Sequence, residues 1–166
     1  MRNGRLGTGW SRSSLRNADF MRRLGSILFF LAVLLATGAA LEETVAGLKA
    51  RLEGAPPDER PELCVRIAQY QLRNADKFYI DGHVDDARAA LDDIVRYIEK
   101  ARDAAVASKK HLKNVEIDAR KISERLRDIK RTLAFEDQAP VEQAIRRLED
   151  IRTELLKEMF KKKDKK

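Results

Sequence analysis

Residues 84–133 read VDDARAALDDIVRYIEKARDAAVASKKHLKNVEIDARKISERLRDIKRTL. Within them Val84, Ala87, Leu91, Ile94, Ile98, Ala101, Ala105, Ser108, Leu112, Val115, Ala119, Ile122, Leu126, Ile129 and Leu133 recur at gaps that alternate three and four without a slip. Of these 15 positions only Ser108 is not apolar. Such an a/d seam, sustained over about seven heptads, predicts a helix that packs along its length against other helices. No Gly or Pro falls between His83 and Ala139, so no residue forces the backbone to stop. The spacing predicts one continuous helix about 75 Å long. The only place where a turn fits is Ser108-Lys109-Lys110-His111, the most polar stretch of the seam.

Working outward, the flanks of the seam change along its length. Ala90, Val95, Tyr97 and Ala104 widen the apolar face in the first half, whereas Glu116, Asp118, Arg125 and Lys130 narrow it in the second. A wide face suits a bundle, a narrow one a single partner helix. Upstream, Leu41, Val45, Leu48 and Leu52 mark a short amphipathic helix closed by Gly54-Ala55-Pro56-Pro57. Asp58 suits an N-cap with Pro61 in the first turn of a second helix running to about Tyr79. That helix carries apolar residues on more than one stripe, which predicts packing on two sides. Downstream, Glu136 to Pro140 makes a short connection, and Val141, Ala144, Leu148, Ile151 and Leu155 mark a last helix folded back antiparallel. The expected fold class is an all-α helical bundle. Two helices brace the first half of the long one, and the last helix lies on its second half.

The junction of the second and third helices resembles a tetratricopeptide repeat over residues 71–99. Ala75, Phe78, Gly82, Ala87 and Leu91 fall at that family's small, aromatic, turn-glycine, alanine and large-apolar positions. Gln71, Asn74 and Glu99 depart from its Trp, Leu and Pro positions. The resemblance implies a tight helix pair and a binding role. In style the chain also resembles periplasmic holdase chaperones with coiled-coil arms, which share export, small size and long helices.

The formal charge of +7 is unevenly placed. Residues 1–40 contribute +5 and Lys161–Lys166 contribute +4, which leaves residues 41–160 at −2. A nucleic-acid-binding body should be basic, so no nucleic-acid partner is expected. Met21-Arg22-Arg23, the apolar run Ile27–Ala36 and the small residues Thr37–Ala40 compose a secretory signal peptide. The expected location is therefore periplasmic or secreted, with an uncleaved anchor through 24–41 as the alternative. Residues 1–20 read as an extension outside the fold, 41–160 as a single helical domain, and 161–166 as a basic tail.

No residue is assigned a catalytic, cofactor or metal role. His83 lies among Asp81, Asp85 and Asp86, where helix capping and first-turn acidity account for the pattern. His83 and His111 would share a metal only if the seam turned back. Cys64 is the only cysteine, flanked by apolar residues as a small buried hydrophobe would be. What remains is an exported, non-enzymatic interaction or scaffold protein. The alternative is a holdase or envelope-surface binder using the basic tail. Ala-rich positions leave part of the seam for a second chain to complete, so self-association as a homodimer is expected. The candidate interaction residues are Ala105, Ser108, Leu112 and Val115 on the seam, Lys109 and Lys110 beside it, and Lys161, Lys162 and Lys163 in the tail. Membrane contact is expected only through the leader or the tail.

Overall fold

The computed structural model describes residues 44–161. The readings of the leader at 21–40, the extension at 1–20 and Lys162–Lys166 lie outside the described residues. Thr44 opens the described chain as an N-cap, its Oγ1 accepting from the Gly47 amide at 3.1 Å. It starts α1 (Val45–Gly54), whose Leu48 is fully buried. Lys49 ties α1 to the bundle through Asp93 at 3.3 Å and lies 5.5 Å from the centre of the Tyr97 ring. The prolines after Ala55 then stop the helix.

Helix α2 (Arg60–Ile80) begins one turn before its first core leucine, with Pro61 at the start where its missing N–H costs nothing. Glu59, not Asp58, precedes the first turn, and it makes no side-chain cap. Asp58 is instead paired with Lys110. Leu63, Cys64, Val65, Ile67 and Ala68 are all buried, which is the two-sided packing their crowding implies. The helix closes at Asp81-Gly82-His83. The amide of His83 donates to the Phe78 carbonyl at 2.8 Å, and Gly82 takes φ +78°, a conformation that favours glycine. Helix α3 (Val84–Ser108) follows with Asp85 and Asp86 in its first turn.

The seam does not continue as one rod. Lys109 and His111 both adopt left-handed backbone, at φ 56° and φ 62°, and a new helix, α4 (Leu112–Thr132), runs back. Ser108 completes the stop. Its hydroxyl donates to the Ala104 carbonyl at 2.8 Å and accepts from the Lys110 amide at 3.4 Å. That side-chain bond competes with the helical ladder, as serine tends to do near helix ends. The three-residue turn happens to span one four-residue step of the heptad, so the apolar register survives the break. Every seam residue is still buried or half-buried, now on two helices instead of one. A 3-10 turn at Phe135–Asp137 leads into α5 (Gln138–Lys161).

Cross-helix pairs define the arrangement. Gln71 Nε2 donates to Asp93 at 2.6 Å across the antiparallel α2–α3 hairpin. Lys130–Glu142 at 2.5 Å, Arg127–Glu149 at 2.5 Å and Arg152–Glu116 at 2.9 Å run down the antiparallel α4–α5 hairpin. The two hairpins are stacked with α5 parallel to α3, joined by Arg88–Asp137, Arg147–Glu99 and Arg102–Glu154. Likewise α4 lies parallel to α2, joined by Lys110–Asp58 and Arg125–Asp76. The four seam alanines, Ala87, Ala101, Ala105 and Ala119, are fully buried where helices meet. Their small size lets axes approach toward the lower end of the usual 8–10 Å.

All described secondary structure is helical, so the chain is an all-α bundle with no strand among the described residues. The last helix folds back on the second half of the seam as its short connection requires. The body of the fold is nevertheless two stacked hairpins with α1 on the outside.

Candidate interaction surfaces

The turn at 108–111 redistributes the residues that the seam pattern marked for a partner. Ala105 and Val115 are fully buried within the chain's own core. Leu112 is half-buried against that core, and Ser108 is occupied in stopping α3. The seam is therefore completed by the chain itself, and its alanines no longer argue for a second copy along it. Lys109 and Lys110 are exposed at the turn, Lys110 in its pair with Asp58. Lys161 is exposed at the end of α5 and bonds Glu158 at 2.6 Å. Lys162 and Lys163 lie outside the described residues.

Two grooves run along the stack where parallel helices meet. Between α2 and α4 is a cavity of about 460 Å³. Pro61, Val65 and Val115 line it but are buried, so half-buried Ile117 is its main accessible apolar side chain, and its rim is polar, with Glu62, Gln69, Asn114 and Lys121. Asp118 belongs to this groove. Burial is the main reason its carboxyl is held above the ordinary value of 3.8; Glu62 adds to the effect and Lys121 opposes it. A larger groove of about 770 Å³ lies between α3 and α5, over Leu91, Val95 and Ala144. Arg88, Arg96, Arg146 and Arg147 on its walls alternate with Asp92, Glu99 and Asp150.

Many of the ion pairs on the body join one helix or connection to another. Glu116 pairs with Arg152 across the hairpin and not with Arg120 one turn along, and Arg96 pairs with Asp93 and not with Asp92. Glu142 also meets Arg146, one turn along α5, at 3.6 Å. Cys64 is buried as its neighbours imply, and burial pushes its thiol up to about 11. The thiolate is the reactive form, so this cysteine is inert in the folded chain.

The hairpin does not unite the two histidines. His83 precedes α3 and His111 follows it, so the 25 residues of that helix keep them about 37 Å apart. His83 Nδ1 lies 3.5 Å from Asp86, and its ring stacks 6.4 Å from Phe78. Among the described residues no group of three or more His, Cys, Asp or Glu is placed to hold a metal. Nor is any helix among them long and apolar enough to cross a membrane.

The ends of the stack carry features that heptad reasoning passed over. Phe135 in the connection before α5 is 88% exposed, and Ile80, the last residue of α2, is 78% exposed at the same end. Phe160 is 59% exposed at the other. The available signal was position: each follows the last core residue of its helix and so has no core left to enter. No family model, no curated protein and no solved structure matches this chain.

Proposed function

We propose that the chain is an exported, non-enzymatic helical interaction module that holds a segment of a partner protein in the groove between α2 and α4. The observation that carries the proposal is the composition of that groove. Half-buried Ile117, beside buried Val65 and Val115, is bordered by the hydrogen-bonding side chains of Glu62, Gln69, Asn114 and Lys121. This suits an amphipathic helix or an extended segment, which buries its apolar side chains while its polar flanks pair at the rim. The resemblance of residues 71–99 to a tetratricopeptide helix pair supports a binding role. The leader pattern at 21–40 supports export.

The test is capture from the exported fraction with the full chain, beside an Asn114→Trp variant that fills the groove from an exposed position. The expected result is a partner crosslinked to α2 and α4 that the variant retains at least tenfold less well. Equal retention by the variant, or crosslinks confined to other helices, would remove the groove from the account.

A further inference from the structure

The two ends of the helix stack differ in kind. At one end the connections 80–87 and 133–139 carry five carboxylates and no Lys or Arg. Arg88 reaches two of them, Asp85 and Asp137, from one turn inside α3. Asp81 and Glu136 have no ionic partner among the described residues. Between them stand the most exposed large apolar side chains in the described chain, Phe135 and Ile80.

At the other end the turn and first residues of α4, 106–113, carry three lysines and no acid. The end of α5 adds Lys157 and Lys161. Lys109, Lys113 and Lys157 are exposed and have no ionic partner among the described residues. Val106 and Phe160, 37% and 59% exposed, give this end its own apolar surface. Val106 shares a shallow depression with Lys157 and Lys161.

We propose that copies of this chain associate end to end, the acidic tip of one docking on the lysine-rich tip of the next. The balance of unpaired charge is opposite at the two tips: carboxylates predominate around Phe135 and Ile80, and ammonium groups around Phe160 and Val106, where Asp58 is paired with Lys110 and Glu59 is the acid beside it. Complementary charge steers such an encounter and selects its partner, while the central apolar side chains supply most of the binding energy. The tips sit at opposite ends of helices about 30–37 Å long. Head-to-tail contacts between them do not close in a pair, so they propagate as a linear assembly. The proposal deepens the reading of the chain as an interaction module by naming a second copy as a partner. A chain that stays monomeric yet keeps a groove-bound partner would remove this inference and leave that reading intact.

Sedimentation velocity on the full chain in a nonionic detergent tests it, over a concentration series at low and at molar salt. Two variants each disable one tip: Phe135→Ser with Glu136→Lys, and Phe160→Ser with Lys157→Glu. All four positions are exposed or half-exposed, and circular dichroism checks that helicity is kept. The charge changes alone serve as a second, milder pair of variants. Wild type is expected to grow with concentration and to fall back at molar salt, where screening acts within about 3 Å. Each variant alone is expected to stay monomeric. An equimolar mixture of the two retains one working tip of each kind and is expected to stop at a two-chain complex. A monomeric wild type overturns the proposal. So does association that survives in both variants without salt dependence, which would come from the apolar leader. A mixture that stays monomeric shows that the two intact tips do not bind each other and equally overturns it, as does a variant that dimerises on its own, which would show that like tips meet like.

Discussion

Ser123 is fully buried in α4, and its hydroxyl has no hydrogen-bond partner. A buried hydroxyl left unpaired loses its hydration and recovers nothing, at a cost of about 1–3 kcal/mol. Ser123→Ala is therefore expected to stabilise the fold by about 1 kcal/mol, measured as a higher denaturation midpoint with unchanged helicity. A loss of stability would mean that the hydroxyl has a partner. The position shows where residue-level reading is weak. The heptad marks Ala119, Ile122 and Leu126 as core and leaves Ser123 on the flank, yet α2, α3 and α5 together cover a wider arc of α4 than one partner would. Cys64 was legible because Leu63, Ile67 and Ala68 beside it are apolar. Asp58 was not, because an N-cap and an ion-pair partner are the same residue type in sequence, and only the returning turn brings Lys110 to it.

Each helix is legible from its apolar period: the start at Val84 falls where the seam begins, the second helix ends within a residue of Tyr79, and the other boundaries shift by a few residues where caps compete. The exception is the 109–111 turn, where three lines of sequence evidence pointed the wrong way together. Lysine and histidine rarely take left-handed backbone, glycine and proline are missing, and the apolar phase carries straight through. The physical signal lay in Ser108, whose hydroxyl bonds back to the preceding turn. Lys109→Gly separates the two geometries by sign. In the left-handed position a β-carbon costs roughly 1–2 kcal/mol, part of which the more flexible unfolded glycine chain returns. The substitution is expected to raise stability by about 0.5 kcal/mol or more in chemical denaturation. In an unbroken helix the same change would lower it by about 1 kcal/mol.

At the scale of the molecule, the all-α class, the braced first half and the antiparallel last helix were present in the pattern of apolar residues. The stacking of two hairpins was not. It depends on pairs such as Arg147–Glu99 and Arg125–Asp76, which link residues 48 and 49 apart. Long charged side chains reach partners in several directions, so their pairing becomes readable only once the helices are placed. The same holds for the surfaces proposed to bind. A groove between parallel helices and a tip formed by two separate connections have no local sequence pattern of their own. The central structural claim is that the seam folds back on itself at Lys109–His111, and an electron–electron distance between spin labels at Ala89 and Arg131 tests it most directly. Both sites are exposed, and buried Cys64 escapes labelling. The stacked hairpins predict a separation of about two helix diameters, roughly 25 Å or less. A distance near the roughly 63 Å of an unbroken 42-residue helical span would contradict it.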